Sequence, residues 1–364
     1  EQQRVALARA FVTRPSLPPL EEYVELLRGV WERGILTHHG PLVQQLEAEL
    51  TRRLRVSNLV VVTNGTIAIQ FGLRVFDLQG EIITTPFTWI ATASAVTWER
   101  CRPVFVDVQP DTFNIDPDKI EARITSRTRA ILGVHVFSNP CDVHAIDRIA
   151  QKHGLRVIYD AAHAMFVDYG GRSLLEYGDV TATSFHATKI FQTGEGGACV
   201  ARDAAVAQRL RRLRFFGHDD HKEIVDEGMN GKMTEIHAAM GLALLPHMET
   251  VLANRRRKYT LYQRLLAECP LITFQKFPPE SYNYSYMPVL FRDEAQVLEM
   301  EQRLKRHGIV PRRYFYPALN TVKVLGETGT FPVAEDLARR VLCLPLYDTL
   351  AEEQIENVCS VIKS

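Results

Sequence analysis

The chain has 364 residues, 46% hydrophobic and 24% charged, the make-up of a water-soluble globular protein long enough for two domains. Lysines and arginines number 43, as do aspartates and glutamates, so the balance speaks against nucleic acid or an anionic membrane as a partner. No apolar run approaches the roughly 20 residues that span a bilayer, and residues 1–14 are too charged and broken for a secretory signal.

Six scattered cysteines without a CxxC pair point to free thiols, a cytoplasmic setting and no structural zinc. Pro15, Pro18 and Pro19 predict an extended entry, followed by a helix over 20–31, a turn over 37–41 and an amphipathic helix over 42–54. His38 and His39 in that turn read as solvated rather than as ligands. At residue 59 the pattern changes to short β-branched runs, 59–63, 81–85, 103–107, 130–134 and 156–160. Helical stretches such as 66–76 and 143–153 lie between several of them. This alternation predicts an α/β sheet, mainly parallel and covered on both faces. Ligands of such sheets gather outside the carboxyl ends of the strands, which places 63–66, 85–89, 135–139 and 160–163 around one crevice. Two further strands, 182–185 and 198–201, flank a lysine-bearing loop.

Beyond that loop come a basic amphipathic helix over 204–214 and a polar segment, 215–232, read as a mobile loop. His218, Asp219, Asp220 and His221 in it lack a second set of metal ligands. The stretch 234–253 reads as a helix with a bend at Pro246, and the basic run 255–258 as a solvated helix face. From about residue 255 the pattern becomes a smaller α+β one: strand 285–291, helices 294–307 and 334–341, strand 342–346, helix 351–362. The expected division is a large cofactor-binding domain with an N-terminal helical segment, 1–254, and a small C-terminal α+β domain, 255–364.

Lys189 closes the stretch Ser184-Phe185-His186-Ala187-Thr188-Lys189, and Gly194, Gly196 and Gly197 come soon after it. It is either a surface lysine before a flexible turn or an amine that bonds reversibly to a carbonyl cofactor such as pyridoxal phosphate (PLP). A dinucleotide-binding dehydrogenase is the competing α/β reading, and the chain has neither GxGxxG nor a Walker A sequence. Asn64-Gly65-Thr66 at a strand-to-helix junction fits a phosphate on the helix N-terminus, or simply a helix entry capped by Thr66. Asp160, at a strand tip, fits the carboxylate that keeps a pyridine nitrogen protonated, or an N-cap for a helix from Ala161 onward. Trp89 fits a ring stacked on a flat cofactor, or a core aromatic.

Taken with 86–96, 103–108, 114–117, Asp160-Ala161-Ala162-His163-Ala164 and Gly194-Glu195-Gly196-Gly197, these motifs closely resemble the DegT/DnrJ/EryC1/StrS family of PLP-dependent nucleotide-sugar aminotransferases. The likeness runs from about residue 15 to the end. It implies a type I aminotransferase fold and a homodimer with active sites built at the subunit interface. By position, Lys189 resembles the lysine that bonds to the cofactor and shuttles protons, and Asp160 the partner of the pyridine nitrogen. His163 stands where the family usually has a glutamine that contacts the PLP hydroxyl. Gly65, Thr66 and Ser184 resemble the phosphate-binding set, and Trp89 the ring-stacking aromatic. Asn230 resembles the asparagine that reaches the phosphate in the partner subunit, and Lys232 stands where arginine is common. Arg312, Arg313, Tyr314 and Tyr316 occupy the segment that borders the sugar-nucleotide pocket. The implied reaction is a two-stage transamination from L-glutamate to a keto sugar. Residues 312–317 and 137–142 look most like enzymes that aminate dTDP-4-keto-6-deoxy-D-glucose at C4. Amination of a 3-keto sugar shares the motifs, and a non-catalytic PLP- or sugar-nucleotide-binding regulator is the alternative from another class. Lys189 weighs against the sugar dehydration run by relatives with histidine there.

Overall fold

Seven short runs of buried apolar and small residues form the central sheet. They are β1 (Leu59–Val62), β2 (Glu81–Thr84), β3 (Arg102–Phe105), β4 (Thr128–Val134), β5 (Arg156–Asp160), β6 (Val180–Ser184) and β7 (Gly197–Ala201). The computed structural model describes residues 10–278, 282–326 and 329–364, so the expectation for 1–14 falls mostly outside the described residues. The spatial order is β1-β7-β6-β5-β4-β2-β3. Every pair from β6 to β3 is parallel, and β7 runs antiparallel to both β6 and β1. That reversal makes residues 185–196, with Lys189, a loop that leaves the carboxyl end of β6 and returns beside it, because Gly197 pairs with both Ser184 and Val62.

Alternate strand residues feed two cores on opposite faces, as a doubly covered sheet requires. Val61 and Leu59 join one core, and Val60 and Val62 the other. Helices α1 (Leu20–Arg33) and α2 (Pro41–Leu54) open the chain, followed by α3 (Gly65–Arg74), α4 (Ile90–Trp98), α5 (Val143–His153), α6 (Ala204–Leu213), α7 (Glu235–Leu244) and α8 (Met248–Leu266). Leu46 of α2, Ile146 of α5 and Ala238 of α7 lie in the first core, and Phe71 of α3, Ala95 of α4 and Leu210 of α6 in the second. A smaller antiparallel sheet joins β8 (Ile272–Phe274), β9 (Met287–Phe291) and β10 (Val341–Leu344) in that order, with α9 (Glu294–Arg306), α10 (Pro332–Arg340) and α11 (Glu352–Lys363). A 3-10 turn, Leu245–His247, separates α7 from α8 at the bend expected of Pro246. By length and composition the stretch Glu235–Leu266 also passes for a membrane span, but half of the window that does so is buried in the fold, the place of a core helix. Beyond that bend α8 runs unbroken, giving Met248 and Val251 to the first core and Tyr259, Tyr262 and Leu266 to the core around the smaller sheet.

The expectation of a solvated face for 255–258 holds for Arg256 and Arg257 but fails for two residues, because long cationic side chains reach buried carbonyls. In the basic run, Arg255 and Lys258 are each only 4% exposed. Arg255 donates to the carbonyls of Tyr284 (2.9 Å) and Ser285 (2.6 Å), and Lys258 to that of Asp348. In the 37–41 turn His38 is exposed, as expected of a solvated turn, and His39 is half-buried. His39 lies 3.2 Å from Arg214, whose buried guanidinium also binds Glu47 at 2.5 Å and the Val61 carbonyl at 2.8 Å. Segment 215–232 folds back on itself through bridges between Phe215 and Asn230 and between His218 and Ile224. There Asp219 accepts the His221 and Glu223 N–H groups, and His218 bonds the Phe215 carbonyl. The strand β8 and the helix α4 were not separately legible in the sequence.

Glu235, fully buried at the start of α7, ties the start of α2 to that helix. Its carboxylate accepts the N–H groups of Leu42 (3.0 Å) and Val43 (2.9 Å), the orphan donors at the start of α2. A Cβ on Gly40 would come within 2.6 Å of that carboxyl carbon, so the approach needs glycine. Glu235→Ala is expected to lower unfolding free energy by about 3 kcal/mol, since charged hydrogen bonds to buried donors are lost. Urea unfolding measures it, and a change within error of zero would refute the clamp.

Candidate active site

The carboxyl ends of β1, β2, β4, β5 and β6 surround a cavity of about 500 Å³. After β1, Asn64 adopts extended backbone and caps α3 itself, its Oδ1 accepting the Ile67 N–H at 2.9 Å. The cap is therefore Asn64, not Thr66, and Gly65 and Thr66 line the cavity in the first turn of α3. A Cβ on Gly65 would sit 2.7 Å from Ser184 Cβ, and one on Gly197 2.6 Å from the Asn64 carbonyl carbon. Bare backbone lets β6, β7 and the N-terminus of α3 close around one point, which suits a phosphate.

Asp160, 7% exposed, ends β5. No helix begins after it, so the N-cap alternative falls away. Its Oδ2 accepts the Thr92 hydroxyl at 2.7 Å and its Oδ1 the Ala162 N–H at 3.0 Å. Thr92 belongs to α4 and also lies 2.9 Å from the Thr88 hydroxyl, a neighbour at i−4. Burial raises the Asp160 carboxyl above the usual carboxylate range, opposed by these two hydrogen bonds and by Lys189. Lys189 as a whole is half-buried on the loop, its backbone N–H donating to the His186 carbonyl at 2.8 Å, while its amine end is enclosed. Burial pulls its amine down to about 8, against the pull of Asp160 in the other direction. The low dielectric thus presses both groups toward neutrality, and each charge partly rescues the other.

The pH consequence has a definite sign. An amine whose folded value is depressed burdens the fold fully while charged, below about 8, and the burden is relieved as pH rises toward the ordinary 10.5. Cofactor-free Lys189→Met is therefore expected to be more stable than the cofactor-free parent at neutral pH, with the advantage vanishing between those two values. Denaturant unfolding across that range checks it; a pH-independent difference would contradict the buried-amine account.

His163 packs parallel to Phe137 (6.1 Å, 2°) and Phe315 (5.9 Å, 6°) and tilts against Tyr286 at 4.8 Å. Burial, with Lys189 nearby, holds its imidazole well below the usual histidine value, so it is neutral at pH 7 and offers one donor and one acceptor. Trp89, 50% exposed, meets Tyr314 edge-on at 6.1 Å. Arg312 lies 5.7 Å from the Trp89 ring and 4.6 Å from the Tyr314 ring, its backbone exchanging hydrogen bonds with Cys343 at 3.1 and 2.8 Å.

Gly65, Thr66, Trp89, Asp160, His163, Ser184, Lys189, Arg312 and Tyr314 thus share one cavity. Three expected residues lie outside it. Arg313 turns away, donates to Glu294 at 2.6 Å and covers the Tyr316 ring at 3.6 Å, so its charge is already matched. Tyr316 is held under that guanidinium, half exposed. Asn230 is exposed and 2.5 Å from Lys232 Nζ, whose amine sits over Phe215 and Phe216. Conversely, sequence reasoning missed Thr92, Tyr286, Phe315 and the pair His186 and Glu195, whose ring and carboxylate stand 3.7 Å apart at the cavity wall.

A depressed amine and a shielded carboxylate, sharing one cavity with the first turn of α3, are the equipment of an enzyme that moves protons next to a bound carbonyl compound. The chain belongs to the DegT/DnrJ/EryC1/StrS aminotransferase family, whose pattern covers residues 20–363. It is 40% identical over 363 residues to a dTDP-4-amino-4,6-dideoxy-D-glucose transaminase of Shigella dysenteriae, spanning 97% of this chain and 98% of that one. A protein of the same name from Escherichia coli is 39% identical over 362 residues, 96% of this chain and 97% of its own. Among solved structures, DesI, crystallised in the presence of its TDP-sugar product, superposes with a TM-score of 0.93 at 34% identity, covering 98% of this chain and 92% of DesI.

Proposed function

We propose that this aminotransferase binds PLP through Lys189 and transfers an amino group from L-glutamate to C4 of dTDP-4-keto-6-deoxy-D-glucose, as a cytoplasmic homodimer. The observation that carries the chemistry is the buried Lys189 amine facing Asp160 across one cavity; the two transaminase relatives support the sugar. Bound PLP supplies a conjugated ring that takes up the electron pair left when a C–H bond beside the amine breaks.

The chain's residues do the rest. Asp160, oriented by Thr92 and the Ala162 N–H, holds a proton on the ring nitrogen by its charge. Gly65, Thr66 and Ser184 supply N–H and hydroxyl donors for the phosphate, and neutral His163 donates toward the ring hydroxyl. Trp89 covers one face of the ring. Lys189, with an appreciable neutral fraction near pH 8, takes a proton from the donor carbon and returns it one atom away. Arg312 faces an anionic group of either substrate, the donor carboxylate or the nucleotide diphosphate.

The test supplies PLP, glutamate and separate 4-keto and 3-keto nucleotide sugars, and reads the amine position by NMR. Amination at C3 would overturn the C4 assignment, and PLP binding without turnover on either sugar would favour the regulator. The six free, buried cysteines fit a reducing compartment. An exposed Asn230 fits a contact made across a subunit boundary. Mixing refolded Lys189→Ala and Asn230→Ala chains, at PLP too scarce to load Asn230→Ala alone, is then expected to restore activity to about a quarter of wild-type sites, because a symmetric dimer reassorts statistically. No recovery at all would speak against shared sites.

A further inference from the structure

One layer behind the cavity, residues 283–285 touch the loop that carries His163. Asn283 is fully buried, and its Nδ2 donates to two carbonyls, those of His163 and Met165, each at 2.7 Å. Its Oδ1 in turn accepts the Ser285 N–H at 3.0 Å. The Ser285 hydroxyl lies 2.9 Å from the His163 carbonyl and 2.6 Å from Asn283 Oδ1, and its single proton serves one of them at a time. Tyr284, between them, has φ +57°, a left-handed conformation rarely adopted outside glycine. That turn lets the side chains on either side meet the same carbonyl. It also frees the Tyr284 and Ser285 carbonyls, and both are taken by Arg255 of α8, at 2.9 and 2.6 Å.

The need for such a device arises from how His163 is packed. Rings stacked parallel at about 6 Å resist tilting but allow sliding in the ring plane, so Phe137 and Phe315 do not fix where the imidazole nitrogens point. Beyond what the tilted Tyr286 ring restrains from one side, that falls to the main chain at 163, whose carbonyl is anchored by Asn283 and Ser285 rather than by a helix or a sheet ladder. We infer that Asn283, braced by Arg255, is a positioning residue: it fixes the His163 peptide and so aims the imidazole at the cofactor's ring hydroxyl. This rests on reading the cavity as a PLP site.

The test tracks the visible absorbance of bound PLP against pH in the wild type, His163→Ala, Asn283→Ala and the double variant. Each single change is expected to shift the titration midpoint in the same direction by at least about half a pH unit, and the double variant no further than His163→Ala alone. Additive shifts, or a wild-type midpoint in Asn283→Ala, would overturn the inference, because a purely structural role leaves that midpoint in place. Should Asn283→Ala fail to fold, Ser285→Ala enters the same cycle with the same expected non-additivity and the same overturning result. A wild-type protein that shows no visible band with PLP would instead defeat the cofactor reading on which the inference rests, and is told apart because it appears before any variant is compared.

Discussion

Lys189→Ala is expected to fold, to bind PLP without covalent attachment, and to lose transamination by at least about 10,000-fold, the range expected when one group serves both as covalent partner and as proton carrier. No other amine can stand in among the described residues that line the cavity: Lys189 is the one lysine there, and Arg312 offers a guanidinium rather than an amine. Borohydride should fix the cofactor to Lys189 in the wild type and nowhere in the variant. Mass spectrometry of the digested protein and single-turnover absorbance would check both statements. Substantial turnover in Lys189→Ala would remove the proposed mechanism, whatever the substrate. Melting temperature serves as the control, since the buried amine burdens the cofactor-free fold and its removal should not weaken it.

Asp160→Asn is the second large effect, with kcat expected to fall by about 100- to 1,000-fold, in the range for removing one preorganised electrostatic contact from a water-excluded site. The amide is nearly isosteric and keeps an oxygen for the Thr92 hydroxyl or the Ala162 N–H, so the loop geometry survives. What it lacks is the charge that makes a protonated ring nitrogen favourable, and burial means that solvent does not screen that loss. PLP affinity should change far less than kcat, because the phosphate contacts at Gly65, Thr66 and Ser184 are untouched. Parallel measurement of cofactor affinity and single-turnover rate separates the two effects; equal losses in both would make Asp160 a binding group only.

How much of this was legible in the sequence depended on whether the deciding contact was local. β1 is apolar and wholly buried, and β5 has a buried apolar middle, 157–159, that ends at Asp160, so the strand ends and the cavity residues just beyond them could be read along the chain. Lys189 stood out because small residues and glycines surround it. Thr92 did not, since its partner Asp160 is 68 positions away, and the hydrogen bond from Asn283 to His163 spans 120. Segment 312–316 shows a different limit. Its place in the fold came from family likeness, but which side chains face the cavity did not, and Arg313 spends its charge on Glu294 while Arg312 does not. Arg255 and Lys258 were misread because a run of cations is normally solvated, and only the packing of α8 shows which of its faces is covered.

That helix has a mechanical consequence. Nineteen residues make a rod about 28 Å long, rooted in the core of the large sheet at Met248 and in that of the small sheet at Leu266. A hinge swinging one sheet against the other at this junction would have to snap the rod near Asn254, next to Arg255, whose bonds pin it to the segment behind His163. One unbroken helix thus braces the two sheets against each other, and its Arg255 carries that brace to the segment behind His163.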